Sequence, residues 1–412
     1  MGWWRNGDGR PGLARVTALA AVSVAVSVVA VQGTAIAAGT VMSSPRWTGS
    51  KLPLPAGAAA NSFRPLALSC SSATRCAGGG SYADGAPSFP PALLTLSGKK
   101  WTDTKAPLPA GALANQPPQT AVASMACPAA TTCFGGGHYS NARGGQAMLL
   151  AWSGKRWTAT RAPLPAGANS NPGAVVSGIS CPSAAWCTAV GEYEASTHGY
   201  GLILRRSKGR WTAAAAPAGP GGAAVGLNAV SCPAVSRCFA GGGSDYADGT
   251  STPLLMLTWW KSKWAVVQVA LPKNAAANPE AGIDAIACPT ATRCIAAGSY
   301  EDSAGDQEGL LLAWSGRSWT ATTAPLPANA GADPWTSLNA AACPVSSRCV
   351  AGGEYEDAAS QPTGLLLTWS KNKWAAAEAP AGYDVHAISC PSASRCFALS
   401  AVGDGLELLT GP

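Results

Sequence analysis

Fourteen cysteines stand in seven Cys-x5-Cys pairs, Cys70/Cys76, Cys127/Cys133, Cys181/Cys187, Cys232/Cys238, Cys288/Cys294, Cys343/Cys349 and Cys390/Cys396, and none stands outside them. A thiol pair at one fixed spacing either closes a local disulfide or supplies metal ligands. A structural zinc site needs four ligands converging on one ion, yet the pairs lie in separate stretches and the chain has only three histidines. An even number of cysteines at regular spacing in an oxidising compartment reads as a disulfide framework. Each pair brackets five residues, with Pro after the first cysteine in six of the seven. A hairpin that sets two residues directly opposite each other brings them within disulfide reach.

A second set of side chains has the chemistry of a binding rim. Tyr82, Tyr139, Tyr193, Tyr300 and Tyr355 each lie six residues after the second cysteine of a pair, and Tyr246 lies eight after. Carboxylates follow them, notably Glu301, Asp302, Glu356 and Asp357. Aromatic faces stack on the apolar faces of sugars or peptides while carboxylates accept hydrogen bonds, so the set is read as a ligand rim. Packing of each tyrosine at the end of its repeat is the alternative. Glycosidase chemistry would require two of the carboxyls to converge at a suitable separation. His138, His198 and His386 fall in three different repeats and are not read as one metal site. With no nucleophile motif, P-loop or dinucleotide fingerprint, no catalytic residue, metal or cofactor is assigned.

The elements that must position these residues follow from the period. First cysteines recur every 47 to 57 residues, and a tryptophan recurs in register at Trp47, Trp101, Trp157, Trp211, Trp264, Trp319 and Trp374. A period in this range points to a propeller. The fifth repeat shows four short strands: Gly282 to Cys288, Cys294 to Tyr300, Gly309 to Trp314, and one from Trp319. A two-residue turn at Gly316-Arg317 sets Trp314 across from Trp319, a cross-strand aromatic pair that stabilises the hairpin. The second strands are glycine-rich, as in Ala240-Gly-Gly-Gly243, which implies close approach by a neighbouring group. The last repeat ends at Pro412 without its tryptophan strand, and the missing strand precedes the first cysteine pair at residues 46–55. The expected fold is therefore all-β: a seven-bladed β-propeller of four-stranded antiparallel blades. Its repeats begin near residues 64, 121, 175, 226, 282, 337 and 384, and the N-terminal strand completes the last blade.

In such blades the first and third turns lie on one face of the disc, and the other connections lie on the opposite face. The turn face collects Arg75, Arg237, Arg293, Arg348 and Arg395 with the lysines and arginines of the tryptophan hairpins; the opposite face collects the carboxylates and tyrosines. The basic side could meet an anionic envelope polymer or membrane surface or could serve only to protect hairpin tips and solubility.

Arg5, Arg10 and Arg15 precede an apolar run from Val16 to Val31, and Ala35-Ile36-Ala37 supplies a small-residue cleavage site. Residues 1–37 are read as a secretory signal, with a retained anchor as the alternative. Removing them lowers the formal charge from +7 to +5. Residues 38–412 then form the propeller, exported to the cell surface or beyond as a monomer with no stable membrane span. Only 12% of residues are charged, so nucleic acid is not the expected partner. A glycan, a cell-wall polymer or a protein is.

The run Ala240-Gly-Gly-Gly-Ser-Asp-Tyr-Ala-Asp-Gly249, a hydrophobic strand, Lys263-Trp264 and Ala270-Leu-Pro272 resembles a kelch repeat, and the resemblance recurs through residues 46–409. It is also similar to the secreted propellers of actinobacterial exoproteomes that carry a Ser-Cys-Pro-Ser-type repeat. The cysteine pairs are additional to the kelch pattern, and the paired aromatic lies closer to the repeat tryptophan than in kelch. The tyrosine and histidine ligand set of galactose-oxidase-type copper enzymes has no match here. The resemblance implies the propeller fold and an exported binding or interaction scaffold. A secreted carbohydrate-active enzyme, glycosidase or oxidase, with its site on the acidic face is the alternative.

Overall fold

The computed structural model describes residues 47–59, 62–85, 89–113, 120–196, 198–219, 226–243, 254–380, 384–402 and 405–412. The signal segment expected at 1–37, and Tyr246 among the rim residues, lie outside them.

The described residues form strands and no helix. A short strand β1 (Thr48–Lys51) precedes blade one, which is β2 (Arg64–Ser72), β3 (Arg75–Ser81), β4 (Pro91–Ser97) and β5 (Lys100–Lys105). Blade two is β6 (Ala121–Ala129), β7 (Thr132–Asn141), β8 (Gly144–Trp152) and β9 (Trp157–Arg161). Blade three is β10 (Val175–Ser183), β11 (Trp186–Ala195), β12 (His198–Ser207) and β13 (Arg210–Ala215). Blade four is β14 (Ala229–Ala234), β15 (Arg237–Gly242), β16 (Leu255–Trp260) and β17 (Lys263–Val267). Blade five is β18 (Gly282–Thr290), β19 (Arg293–Glu301), β20 (Gln307–Trp314) and β21 (Trp319–Thr323). Blade six is β22 (Ser337–Val345), β23 (Arg348–Glu356), β24 (Pro362–Ser370) and β25 (Lys373–Glu378), and blade seven contains β26 (Val385–Ser392), β27 (Arg395–Val402) and β28 (Gly405–Gly411).

Each of the first six blades is a sheet in chain order, and the seventh runs β1-β28-β27-β26. The expected seven-bladed all-β propeller is thus the fold, closed by the N-terminal strand. In that closure Thr48 pairs with Thr410 and Lys51 with Glu407, antiparallel. The first strands of the blades neighbour one another around the axis, and β26 returns to β2. Closure removes the open edge that a linear array of sheets would leave.

Packing between blades explains the strand compositions. The third strands are continuous apolar runs, such as Leu310-Leu311-Leu312 and Leu365-Leu366-Leu367, because both of their faces are buried. Glycine in the second strand makes room for a branched side chain of the next blade: a Cβ at Gly352 would lie 2.7 Å from Val385 Cγ1. Outside, the tryptophan hairpins hold the expected register, with Trp314 opposite Trp319 and ring centroids 5.5 Å apart.

The first hairpins carry the expected disulfides, Cys70–Cys76, Cys127–Cys133, Cys181–Cys187, Cys232–Cys238, Cys288–Cys294, Cys343–Cys349 and Cys390–Cys396, with Cα separations from 3.9 to 4.1 Å. The two cysteines of each pair thus face each other across the hairpin, as expected. In blade one Cys70 stands directly opposite Cys76 in the ladder. Every first hairpin also carries a bulge at this point: in blade one the ladder passes from Cys70 opposite Cys76 to Ser72 opposite Arg75, and in blade three from Ser180 opposite Thr188 to Ser183 opposite Trp186. The residue after the first cysteine, at the bulge, is Ser71 in blade one and proline in the other six. Proline has no N–H to give the ladder and favours such a bulge.

Nor are these cysteines surface groups at the hairpin tips. Cys76, Cys133, Cys187, Cys238, Cys294, Cys349 and Cys396 are all buried, whereas the first cysteines other than Cys232 are half-buried. The second strand is covered on both faces, and each second cysteine faces the third strand: Cys187 opposite Arg206, Cys238 opposite Trp259, Cys349 opposite Trp369 and Cys396 opposite Gly411. The disulfides are therefore part of the packing of the blades.

Candidate functional site

The first strands carry a break in their alternation at one repeated position. Register shifts at Leu66, Ala123, Ser177, Asp284, Asn339 and His386 leave one extra residue on the axial strand. In blade four the equivalent residue is Asn228, whose N–H donates to Gly241 O although Gly241 already faces Ala229. A bulge of this kind re-aims a side chain. Here it turns one side chain per blade toward the shared axis, each at least partly exposed between buried neighbours.

The resulting ring is uneven. Leu66 and Ala123 are apolar, whereas Ser177, Asn228, Asp284, Asn339 and His386 form a polar arc through blades three to seven. Its members touch from blade to blade. Asn228 Nδ2 donates to Asp284 Oδ1 at 3.1 Å, and Asn339 Nδ2 donates to Asp384 Oδ1 at 2.8 Å. The other oxygen of Asp384 lies 3.2 Å from His386 Nδ1. Asp384 is one turn of the alternation above His386, toward the acidic face.

Electrostatics distinguish this arc from an ordinary polar surface. Burial among the inner strands pushes the Asp284 carboxyl up to about 6, with the Asn228 hydrogen bond pulling it part of the way back. Asp284 is nonetheless exposed, so its accessible surface is that of the axial channel and not the open exterior. Glu354, on the second strand of blade six, is pushed up to about 7 by burial, then by the charges of Asp384 and Glu356. Glu192 holds the same place in blade three, and burial and Glu194 raise it too. The residue facing it from the next blade is Gly226 where blade seven has Asp384, and a Cβ there would lie 2.9 Å from Glu192 Oε2. Blade six to seven is therefore a carboxylate pair. It sets two carboxyl groups next to an imidazole and a carboxamide, a set of hydrogen-bonding groups that suits a ligand rich in hydroxyl or amino groups.

The tyrosine rim expected from the spacing does not form at the surface. Tyr82, Tyr139, Tyr193, Tyr300 and Tyr355 are all buried, at 5% exposure or less. In blades two, three, five and six the leucine of the Leu-Pro connector arriving from the preceding blade packs against the same apolar cluster that holds the ring: Leu108 with the cluster of Tyr139, Leu164 with that of Tyr193, Leu271 with that of Tyr300 and Leu326 with that of Tyr355. Tyr300 Oη donates to Asn274 Oδ1 at 3.0 Å and lies 2.6 Å from Thr323 Oγ1; Tyr355 Oη donates to Asn329 Oδ1 at 2.8 Å. These asparagines belong to the same connectors. The rings therefore present no exposed face for stacking, being buried in the packing of the blades.

The neighbouring carboxylates are partly spoken for by the loops. Asp302 Oδ1 accepts from the N–H groups of Ala304 and Asp306 at 2.8 and 3.2 Å, and Asp357 Oδ1 accepts from Ala359 and Gln361 at 2.8 and 2.9 Å. Both aspartates thus shape their turns. Glu301 and Glu356 stand half-buried beside them, their backbones joined to the connectors through Glu301 O with Ala276 N and Glu356 O with Gly331 N. Among the described residues no group of three or more His, Cys, Asp or Glu side chains is arranged to hold a metal ion.

The arc escaped the sequence reading because its members share no residue type. His386 was singled out there, but Asp284, Asn228, Asn339 and Asp384 were not. The one available signal was the residue four positions before each first cysteine, which varies while its neighbours, Ser124 apart, remain apolar or glycine.

On the opposite face the arginines do more than carry charge. Arg75 Nη1 donates to Ser97 Oγ at 2.9 Å, and a cavity of about 40 Å³ opens beside it between blades one and two, where Leu96 takes the place of the usual indole. In blade three Arg206 stands opposite Trp211 in that place, its guanidinium 4.6 Å over the Phe134 ring of blade two. Arg205 lies 4.0 Å over the Trp259 ring of blade four, and burial lowers its affinity for its proton.

No family model matches the chain, and no curated protein matches it. Among solved structures it is similar to the WD40 repeats of RRP9, at 10% identity over 89% of this chain and 100% of that one, with a TM-score of 0.54. It is also similar to YCF48 from Cyanidioschyzon merolae, at 14% identity over 88% and 98% of the two chains, TM-score 0.49. A third likeness is to a Trypanosoma rangeli sialidase in complex with sialic acid, at 10% identity over 88% and 56%, TM-score 0.46. At such identities the likeness is one of β-propeller fold alone.

Proposed function

We propose that this chain is an exported, non-catalytic β-propeller that acts as a binding scaffold at the cell surface or outside the cell, holding a glycan or cell-wall polymer at the polar arc of its axis. The observation that carries this reading is the linked set Asn339, Asp384 and His386 beside Glu354, a convergence of donors and acceptors at the acidic mouth of the ring. Seven disulfides fit an oxidising extracellular setting. No helix among the described residues is long and apolar enough to cross a membrane. The kelch-like pattern, and the similarity to exported actinobacterial propellers, agree with a monomeric scaffold whose signal segment has been removed.

The test is a binding screen of the purified chain against glycans and cell-wall polymers, repeated with Asp384→Asn and Asp284→Asn and accompanied by metal analysis of the same sample. The reading expects a ligand whose affinity falls in the variants. A ligand bound equally well by both variants and wild type would remove the arc from the account.

One observation favours a second reading, that of a secreted carbohydrate-active enzyme. A carboxyl held near pH 7 next to another carboxylate, as Glu354 is, has the character of a general acid. Turnover of any glycan that disappears in Glu354→Gln, with binding retained, would replace the scaffold reading with this one.

A further inference from the structure

The basic face breaks its own repeat at one blade. After the cross-strand aromatic position, blades one, two, three, five and six carry serine, namely Ser97, Ser153, Ser207, Ser315 and Ser370. Blade four carries Trp260, 49% exposed. The third residue of the cysteine turn is alanine in five blades and Ser346 in the sixth. In blade four it is Val235, 47% exposed. Arg237 stands over the indole: its guanidinium lies 4.8 Å above the Trp260 ring, where the equivalent Arg75 instead donates to Ser97. Lys261 and Lys263 flank the indole and are exposed. No acidic residue occurs in any of the cysteine turns or tryptophan-hairpin turns of this face.

We infer that blade four presents an interaction surface for an acidic polysaccharide, with a sugar ring laid on the face of Trp260 away from Arg237 and its anionic groups met by the exposed Lys261 and Lys263. An exposed indole offers a flat apolar face matched to a pyranose ring, and the surrounding single-signed charge raises the local concentration of an anionic polymer. A lipid surface fits less well. One indole and one isopropyl group bury far less than the acyl chains needed for stable anchoring, and even one such chain binds only marginally. Single-stranded nucleic acid is read by successive aromatic platforms, whereas Trp260 is the one strongly exposed ring on this face among the described residues. The surface lies on the opposite side from the axial arc and stands whether or not that arc binds anything.

The probes are polygalacturonate, unsubstituted dextran and anionic phospholipid vesicles, each tested with the full chain by affinity electrophoresis or sedimentation at low and high salt. Binding to polygalacturonate, weakened by salt and absent with dextran, is expected. Trp260→Ser, which installs the residue of the other blades, should weaken it roughly tenfold with an unchanged melting transition. Lys261→Ala with Lys263→Ala should weaken it and flatten its salt dependence. Asp284→Asn and Asp384→Asn should leave it untouched, which separates this surface from the arc. Equal affinity in Trp260→Ser, no binding to polygalacturonate, or preference for dextran or for vesicles overturns the proposal.

Discussion

Ser389 Oγ accepts a hydrogen bond of 2.9 Å from the backbone N–H of Cys70, joining the seventh blade to the first across 319 residues of chain. The same latch recurs between neighbours: Ser69 holds Cys127 at 2.9 Å, Ser180 holds Cys232 at 2.9 Å and Ser231 holds Cys288 at 3.1 Å. The Ser-Cys dipeptide thus serves two blades at once, the cysteine fastening its own hairpin and the serine gripping the next. Ala126, Ala287 and Ala342 stand where the hydroxyl is missing.

Ser389→Ala should therefore lower the unfolding free energy by about 1 kcal/mol, more if the Cys70 N–H is left without a partner. Ala342→Ser should move it the other way. Denaturant titration of both variants checks this, and equal midpoints in all three proteins would remove the latch from the stability account.

Strand β1 is the outer strand of blade seven. Deleting residues 38–56 should abolish the single cooperative transition and expose an unpaired edge on β28 that promotes association. Calorimetry with light scattering reads both effects. A truncated chain that melts like the intact one would show that closure is dispensable.

Tyr300 is packing, and its substitution should read as packing. Tyr300→Phe removes the hydrogen bonds to Asn274 and Thr323 and should cost about 1 kcal/mol or somewhat more, while Tyr300→Ala should cost about 3 to 5 kcal/mol. If Tyr300→Ala kept its stability and lost only ligand binding, the ring would after all face a ligand.

Asp284 and Glu354 titrate near 6 and 7 in the folded chain, against about 4 when unfolded. A raised carboxyl binds its proton more tightly in the native state, so its stabilising contribution is whole below about pH 4 and is lost as pH rises through 6 to 7. Relative to wild type, Asp284→Asn and Glu354→Gln should gain stability at about pH 8 compared with about pH 5. Denaturation midpoints at the two pH values decide it, and a difference independent of pH would contradict the raised values.

The fold was legible because its markers repeat. Cysteine pairs, tryptophans and glycine-rich strands recur in one register, and the displaced tryptophan strand at Trp47 announced the closure. The site was less legible because each of its devices is a local exception to a pattern. A bulge at Asp284 or His386 interrupts the alternation by one residue, so a strict period of two assigns these side chains to the wrong surroundings. The tyrosines misled for a related reason. Their spacing placed them correctly near the acidic face, but only the packing of the blades decides whether the rings meet solvent. Trp260 and Val235 were visible as deviations only once the equivalent positions in the other blades were aligned by structure.

Every disulfide closes within a single hairpin, six positions apart in sequence, and none ties one blade to another. Oxidation of this chain is consequently a local affair. Each thiol meets its correct partner at high effective concentration as soon as its own turn forms, while a wrong partner must be reached across some forty residues or more and a costlier loop. Scrambled isomers should be scarce, and an unfolded but oxidised chain already carries all seven correct crosslinks, ready to refold without reshuffling.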